Sequence, residues 1–398
     1  MAKANGITSL MVIKKQSAEG TKATASSAQV MRRVKAEFET AADAINSNEI
    51  RASQQKSDSR LSNFRVEGAL NGEISPTTFE EFIAAMLRKD FVAGATIGAL
   101  TTIASITAGF TDSANGFLAA GFKVGMIIRA SNFVATENND KNFLITAVVA
   151  GQISCSSLDE TAITAQTAGA SITIAATGKR TYVPLTSHTE DWFTVAIENS
   201  DVSVYRSFVD CIVDKMEIKF PPENMATIDF NFIGKTEDPV SGSVYFTSPT
   251  SQTSTGNFSN ATSILNFDGI LTTICTDLEF ALESGAIAKP VVGSKYVSGI
   301  SRGKVMGNGS FSVFLEDDTY LEKFRDETEM VIAYAVGSTS LKGADAMSFT
   351  FPRIKIITAK ESDGEEHKII TCDFEILEYV GSDSQYENTT IVIQDTTL

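Results

Sequence analysis

Histidine and cysteine are the side chains that most often carry nucleophilic or metal-assisted catalysis, and this sequence has few of either. Its two histidines are His188, in a Thr/Ser-rich stretch, and His367, beside a charged turn. A catalytic serine or cysteine needs a base within hydrogen-bonding reach, and no such pair is apparent around either residue. We therefore expect both histidines to be exposed polar residues.

The four cysteines, Cys155, Cys211, Cys275 and Cys372, are far apart and form no CxxC or Cys/His cluster. Cys211 and Cys372 lie in apolar, strand-like surroundings, which is typical of buried free thiols. The spacing predicts no zinc site and no disulfide framework, as expected of a chain made in a reducing compartment.

Carboxylates are the remaining candidates for chemistry. Glu316, Asp317 and Asp318 are adjacent at a predicted helix start, where they match the helix dipole, whereas acid–base catalysis needs carboxylates that face one another across a cleft. Residues 138–140 lack the spacing of a calcium loop, and no dinucleotide, Walker or HExxH motif occurs. The sequence predicts neither an enzyme nor a bound cofactor or metal.

Composition places the chain among globular β proteins. Its 398 residues are enough for two or three domains, and 25 of them are Phe, amid many Thr, Ser, Ile and Val. The formal net charge of −16 disfavours tight nucleic-acid binding, although an acidic surface can repel DNA. The most apolar run, residues 91–110, is broken by Gly and Thr, so we expect no membrane span. Residues 1–20 have no positive region followed by a long apolar core, so we expect no secretory signal.

The elements that organise the chain are clearest in residues 47–91. Residues 49–61 are polar with charges of both signs, which predicts an arm or an edge. Residues 63–74 place apolar residues or glycine at alternate positions, the period of a half-buried strand. Residues 79–87 then space apolar side chains as on one face of an amphipathic helix.

The turn between this strand and helix carries helix-start signals. Ser75 is a favourable N-cap, Pro76 suits the first helical position, and Glu80 and Glu81 lie near the positive end of the helix dipole. We expect a strand, a capped turn and a short helix that packs on a sheet.

Later segments are mostly strands. Residues 92–179 have little charge and short strand patterns at about ten-residue spacing, which predicts a small all-β insertion on the outside of a host domain. Residues 202–213 have near-helical spacing. Residues 215–220 and 226–233 alternate around a proline-containing turn and form a predicted hairpin, and the polar stretch 234–260 predicts a domain boundary.

The chain ends are less clearly patterned. Residues 1–46 are expected to be an N-terminal arm, in which residues 30–38 are compatible with either a strand or a helical turn. Residues 348–358 and 368–379 predict a last hairpin around a turn at 361–366, followed by a polar tail.

An internal repeat links the two halves of the sequence. Residues 63–79 align without gaps on residues 304–320, with Gly68 on Gly309. Each segment is a predicted strand, a turn and an aromatic residue that opens a short helix.

The closing hairpins also match, since residues 227–232 align on residues 371–376. Few identities are involved, so two unrelated β-hairpins are the alternative explanation. Because the order of elements repeats as well, we expect a duplicated sheet-plus-helix domain with residues 92–179 inserted only in the first copy. The arm at residues 49–61 has no evident second copy.

A family resemblance rests on the same stretch. The run SNEIR…SRLSNFRVEGALNGEISPTTF resembles the signature of tail tube proteins from long, non-contractile-tailed bacteriophages (siphophages), an SNEIR arm followed by R-x-x-G-x-(I/L)-x-G-E-(I/L)-S-P-x-x-(F/Y). The matching positions are Ser47–Arg51, Arg65, Gly68, Leu70, Gly72, Glu73, Ile74, Ser75, Pro76 and Phe79. Residues 121–157 and 213–235 resemble the family's small β-domain and closing hairpin.

The resemblance implies a structural virion protein that polymerises into stacked rings, forming the hollow phage tail tube through which genomic DNA is delivered. The implied partners are other copies of itself, the tape measure protein, the tail terminator and the tail-tip proteins. Genomic DNA passes without specific binding, no membrane is involved, and the protein is made in the host cytoplasm. The arm residues Glu49, Arg51 and Arg60 are expected to contact another ring or subunit.

The acidic strand faces are expected to line the lumen or the ring contacts, through Glu67 and Glu73 and through Asp229 and Asp373. Tail tubes generally present six sheet domains around a ring. A chain with two such domains would form a trimer with pseudo-sixfold symmetry, which we favour over a hexamer of single domains.

The predicted fold is therefore mainly β (α+β), with duplicated tail-tube β-sandwich or barrel domains, each flanked by a short helix, and an inserted β domain. The expected divisions are an arm at 1–46, a first tube domain at 47–91 and 180–245, the insert at 92–179 and a second tube domain at 246–398. The main alternative is a phage surface decoration or adhesin protein. A carbohydrate-active β-sandwich enzyme is a further one, and would need opposed carboxylates in a groove.

Overall fold

The computed structural model describes residues 3–363 and 367–398. The mainly β fold is confirmed, because strands dominate and the described residues contain three short α-helices. Up to residue 93 the strands are β1 (Ser9–Lys15), β2 (Gln29–Val30), β3 (Lys35–Ala41), β4 (Ala44–Asn46), β5 (Ser59–Leu61), β6 (Arg65–Glu73) and β7 (Val92–Ala93). The helices are α1 (Glu80–Leu87), α2 (Phe117–Ala120) and α3 (Thr319–Arg325).

The middle of the chain holds twelve further strands. They are β8 (Thr96–Leu100), β9 (Ile103–Ile106), β10 (Gly109–Asp112), β11 (Ile127–Ser131), β12 (Phe143–Val149), β13 (Gln152–Ser157), β14 (Ile172–Ala176), β15 (Lys179–Tyr182), β16 (Phe193–Asn199), β17 (Val204–Phe220), β18 (Thr227–Gly234) and β19 (Thr236–Glu237). The last ten are β20 (Ser263–Phe267), β21 (Ile270–Thr272), β22 (Cys275–Glu283), β23 (Ile287–Lys289), β24 (Gly299–Ser301), β25 (Met306–Phe314), β26 (Glu329–Gly337), β27 (Ala346–Glu361), β28 (Ile369–Ile376) and β29 (Val392–Asp395).

Eight antiparallel strands form what we call the inner sheet, in the order β3-β6-β18-β17-β22-β25-β28-β27. Their side chains alternate between a buried face and a solvent-facing one, as β18 shows with Ile228, Phe230 and Phe232 buried and its intervening residues more exposed. This is the period-two pattern of a half-buried sheet.

Two long strands connect the inner sheet to the strands that cover its apolar face. The first part of β17 pairs with β16 and its second part with β18, while β27 changes partner from β26 to β28. Register shifts mark both changes, because a bulge bends a strand and increases its twist. The outer layers continue as β16-β1-β2 and as β26-β20-β21.

The bulges explain the near-helical spacing of apolar residues in 202–213. These residues belong to β17, and Asp210 has a φ of 57° at the place where Phe208 pairs with Val195 and Cys211 with Phe193. The extra residues disturb the alternation of apolar side chains, so the spacing resembles that of a helix.

Helix α1 closes the first half of the core. Phe82 is fully buried, with its ring centroid 5.1 Å from that of Phe193 and 5.0 Å from that of Phe232. The predicted N-cap at Ser75 and first helical position at Pro76 are wrong, because the helix begins at Glu80. Thr77 has a φ of 57°, a left-handed conformation that an α-helix does not accept.

Residues 96–176 form their own seven-stranded sheet, in the order β8-β14-β11-β12-β13-β10-β9, around a separate apolar core. This sheet docks on the outer layer of the chain's second half. Ile127 and Leu144 pack against Ala333 and Ala335, and the Gln394 side chain bonds to both backbone groups of Ile127 at 2.9 Å.

Both chain ends enter the body of the protein. Within the segment expected to be an N-terminal arm, β1 pairs with β16 and β3 pairs with β6, and Phe38 on β3 is buried. The boundary predicted at residue 46 therefore needs revision, and the strand alternative for residues 30–38 applies from Lys35. The predicted polar tail contains the buried strand β29, which pairs with β27 and β15. Gly364, Glu365 and Glu366 of the predicted turn lie outside the described residues.

The two halves repeat one pairing order. In the first half β1, β16, β17, β18, β6 and β3 follow one another, and in the second half β20, β26, β27, β28, β25 and β22 do the same. The ranges of β6 and β25 differ by 241 positions at both ends, which is the offset of the sequence alignment.

The repeat also includes the arm, contrary to the prediction that it has no second copy. A small hairpin, β4–β5, lies between β3 and β6, and another, β23–β24, lies between β22 and β25. We call residues 42–64 the first hairpin and residues 284–305 the second hairpin. The sequences differ too much for the match to be seen without the topology.

Candidate assembly surfaces

The strand β6 carries the residues of the predicted motif. A Cβ built on Gly68 would lie 2.3 Å from the Phe38 ring, and one on Gly72 would lie 2.5 Å from the Phe79 ring. Both glycines therefore leave room for aromatic side chains on the buried face, which is a packing role.

Polar residues of the motif make local contacts. Arg65 bonds to Asp43 at 2.8 Å and to Glu67 at 2.7 Å; the hydrogen bond from Arg65 is the main cause that lowers the pKa of Asp43. Glu73 accepts a hydrogen bond from Asn257. In the following turn the Ser75 and Thr78 hydroxyls lie 2.7 Å apart, Pro76 is buried, and Phe79 packs on Phe230.

The solvent-facing side of the inner sheet is a charged face. Its carboxylates are Glu37, Glu39, Glu67, Glu73, Glu217, Asp229, Asp277, Glu279, Glu283, Asp373 and Glu375. Its basic residues are Lys35, Arg65, Lys215, Lys219, Lys355 and Lys360. The four acidic residues proposed for the lumen or ring contacts thus lie on one face, and carboxylates outnumber bases there.

The strands β17 and β22 join the two halves, and ion pairs cross this joint. Lys215 reaches Glu283 at 3.3 Å, and Lys219 reaches Glu279 at 3.5 Å and Glu217 at 2.7 Å. The hydrogen bond from Lys219 is the main cause that lowers the pKa of Glu217. Sequence reasoning missed these residues as a group, although the alternation of Lys and Glu in KMEIKF was the available signal.

Each half also has a strand that corresponds to one side of this joint but lacks a partner on its outer edge. Among the described residues, β3 pairs on one side only, with β6, although its counterpart β22 pairs on both. Residues 357–361 of β27 likewise pair only with β28, although the matching end of β17 pairs with β18 and β22. Unpaired strand edges in a sheet are surfaces for further pairing.

The first hairpin projects from the body. Arg51 is paired with Glu49 at 2.8 Å and Arg60 with Asp58 at 3.1 Å, and all four side chains are more than half exposed. Ile50 is 101% exposed. The predicted arm residues Glu49, Arg51 and Arg60 thus lie on one hairpin. Their ion pairs stay within that hairpin and do not tie it to the rest of the described chain.

The residues considered for catalysis lie apart. His188 and His367 are exposed, and Cys155, Cys211 and Cys372 are buried as free thiols. Burial raises the pKa of the Cys275 thiol to about 11 and that of Cys372 to about 12. Within residues 3–363 and 367–398, no cluster of three or more His, Cys, Asp or Glu is arranged to hold a metal ion.

A family model described as phage tail tube protein matches residues 6–376. This chain belongs to the phage tail tube family. A comparison with curated protein sequences gives no match. Members of this family are structural components of the virion tail, and the family is not an enzyme class. Membership implies self-assembly into a tube and association with other tail proteins.

The resemblance seen in the sequence is therefore confirmed, and it extends over nearly the whole of the tail tube protein. None of the helices in the described part of the chain is long and apolar enough to cross a membrane. The candidate assembly surfaces of this tail tube protein are the two unpaired edges of the described inner sheet and the charged face between them.

Proposed function

We propose that this protein polymerises through its inner sheet into closed rings of three chains, which stack into the tail tube and deliver DNA through the lumen. The observation that carries the proposal is the joint between β17 and β22 inside one chain. The same joint can form between chains if β27 of one copy pairs with β3 of the next. Repeating this step closes a ring and leaves no unpaired edge in the inner sheet.

The internal joint defines the register of the proposed one. Glu217 lies opposite Ala281. Phe232 pairs with Gly68 as Phe374 pairs with Gly309, so Phe232 and Phe374 are equivalent, two residues away from the match suggested by the sequence alignment of the closing hairpins. The bulges beside these two residues coincide, and beyond them Glu217 pairs with Asp229 as Lys360 pairs with Thr371, so Lys360 is the counterpart of Glu217.

In the same way, Ala281 pairs with Asn308 and Glu39 with Glu67, and Asn308 and Glu67 are equivalent in the repeat. Lys360 is therefore expected opposite Glu39 of the neighbouring copy. Opposite charges directly across a strand pair are favourable, so the charges of the two edges are complementary.

The charged face supports the assignment of the lumen. The apolar face of the inner sheet is covered by the outer layers, and the insert packs on the outer strands β20, β26 and β27. In a ring closed through the inner sheet, the charged face therefore lines the channel and the insert lies outside. A surface rich in carboxylates repels the phosphate backbone and lets DNA pass without adhering.

The proposed domain division follows from the repeated pairing order of the strands in the two halves. We propose two tube units, one built around β1, β3, β6 and β16–β18 and the other around β20, β22 and β25–β28, with residues 96–176 as the insert. Six units around a ring, the number expected from the resemblance, then require three chains. The tape measure, tail terminator and tail-tip proteins are the proposed further partners.

Electron microscopy of the purified protein tests the proposal. We expect rings or tubes whose averaged end views have threefold symmetry, with two similar but distinct units per chain. True sixfold density with identical neighbours would rule out the trimer. Particles that stay discrete at every protein concentration would instead favour a decoration or adhesin protein.

A further inference from the structure

The first hairpin exposes apolar side chains that nothing in a single chain covers. Ile45, Ile50 and Leu61 are 58%, 101% and 63% exposed. Together with the charged residues between them, they make a projecting surface of mixed character, as is common in elements that bind a partner.

The second hairpin, by contrast, is seated on the first half of its own chain. The Asn63 amide donates to the carbonyls of Val291 and Ser294 at 3.0 and 2.7 Å. Phe64 forms a β-bridge with Tyr296, and their rings lie 5.9 Å apart. The start of β6 is thus the seat of the hairpin that leaves β22, which lies three strands away in the inner sheet.

The counterpart of this seat is an open groove. In the repeat, Asn63 corresponds to Lys304 and Phe64 to Val305. Both residues line a groove of about 820 Å³ between the start of β25, the end of β28 and residues 183–188. The site that the second hairpin fills in the first half is therefore empty in the second half.

We propose that the first hairpin of a neighbouring copy fills this groove. The proposal rests on the ring proposed above, in which β3 of that copy pairs with β27. The first hairpin leaves the end of β3 as the second leaves the end of β22. The connections have nearly equal lengths, residues 42–64 being 23 residues and residues 284–305 being 22.

The groove and the first hairpin each carry charges of both signs, so the repeat and not net charge identifies the occupant. The groove has Glu283, Glu375 and Glu378 beside Arg88 and Lys304, and the first hairpin has the bases Arg51, Lys56 and Arg60 beside the acids Asp43, Glu49 and Asp58. Long basic side chains also cover apolar surface with their methylene groups, which suits a groove lined in part by Val305 and Leu377.

The register of the contact follows from the hairpin strands. Leu61 pairs with Ala44 as Ser301 pairs with Ile287, so the two positions are equivalent. Counting back from them, Lys56 is the counterpart of Tyr296. Lys56 is therefore expected beside Val305 of the next chain, as Tyr296 lies beside Phe64.

Disulfide cross-linking of full-length protein tests this contact. The variant Lys56→Cys/Val305→Cys, in a Cys275→Ser background, is assembled and oxidised, with each single variant as a control. Companion variants place the first cysteine at Gln55 or Ser57, because the loop of the first hairpin is longer than that of the second. Phe64→Cys/Tyr296→Cys, which links the internal seat within one chain, is the matched positive control.

We expect chains cross-linked to one another in non-reducing gels only for Lys56→Cys/Val305→Cys and its companions, in a ladder that ends at the number of chains per ring seen by electron microscopy. The positive control should instead give a single chain of altered mobility. A ladder that continues beyond that number would show that the hairpin reaches another ring, and would overturn the proposal. Intact rings without cross-links, alongside a cross-linked positive control, would overturn it while leaving the ring proposal standing. Absence of rings in the unmodified protein would overturn both.

Discussion

Lys219 and Glu279 face each other across the joint between the two halves, with 3.5 Å between the Nζ atom and a carboxylate oxygen. The neighbouring pair in this joint, Glu217 and Ala281, has its counterparts at two unpaired strand edges, Lys360 on β27 and Glu39 on β3. One chain thus contains one complete joint and the two separate sides of another. The arrangement is that of a repeating unit that finishes its sheet by meeting a copy of itself.

Reversing one of these edge charges should weaken ring formation. In Lys360→Glu, a carboxylate is expected to face Glu39 of the neighbouring copy, and like charges opposite each other in a sheet are unfavourable. We expect the protein concentration needed for assembly to rise by roughly tenfold, equivalent to about 1.4 kcal/mol. Light scattering or sedimentation as a function of concentration measures this shift.

The matched controls make the result specific. Lys179→Glu makes the same charge change at an exposed residue of β15, and should leave assembly unchanged. Combining Lys360→Glu with Glu39→Lys restores the opposite charges and should recover assembly. An equal loss in all three variants would argue against the proposed strand pairing.

Substitutions on α1 and on its counterpart α3 should affect different properties: the stability of the single chain for α1 and assembly for α3. Ile83 on α1 lines a small cavity with Met347 and Phe349 of the other half. Its counterpart on α3 is Phe324, which is 39% exposed in the single chain. In the proposed ring, Phe324 is expected to be covered by the next copy.

Phe324→Ala should therefore impair assembly with little change in the free energy of unfolding of the unassembled chain. Phe82→Ala removes a fully buried ring and should lower that free energy by about 3–5 kcal/mol. Urea unfolding of unassembled protein and concentration-dependent sedimentation measure the two effects. If Phe324→Ala destabilises the single chain as Phe82→Ala does, then α3 has no interface role.

The sequence predicted best where one local pattern governs the structure. The alternation in residues 63–74 and the apolar spacing of residues 79–87 correspond to β6 and α1, because each element buries one regular face. The register of β25 was also predictable, since its alignment on β6 needs no gap.

The failures have nonlocal causes. The bulges of β17 disturb its period, and the left-handed Thr77 delays the start of α1 beyond the predicted Ser75. The second hairpin resembles the first in position between paired strands and not in sequence, so only the sheet topology reveals it. The paired edges of the joint could not be predicted either, because residues from distant parts of the chain meet there.

Gly309 should tolerate a side chain poorly. A Cβ at this position would lie 2.4 Å from the Phe374 ring and 2.6 Å from the carbonyl oxygen of Glu279. The carbonyl belongs to a paired strand and cannot move away cheaply. Gly309→Ala should lower the free energy of unfolding by about 1–3 kcal/mol, as measured by urea denaturation. Gly242→Ala is the control, because a Cβ there meets no heavy atom within 4 Å; equal effects of the two would contradict this explanation.

Glu80, in the first turn of α1, should make stability depend on pH. Burial raises its pKa to about 7 from 4.5, and one carboxylate oxygen is buried without a hydrogen-bond partner among the described residues. Between these pH values the folded chain holds a proton that the unfolded chain has released. Stability therefore falls as pH rises from about 4.5 to about 7, and the loss remains in full above that range.

Glu80→Gln keeps the shape of the side chain and removes its charge. We expect the variant to be more stable than the parent by about 1–3 kcal/mol near pH 8, a range discounted for partial exposure, and to match it near pH 4.5. Urea unfolding at the two pH values measures the difference. Glu322→Gln, at an exposed position in the first turn of α3, should give little change at either pH. A gain for Glu80→Gln that is the same at both pH values would show that the buried charge is not its cause.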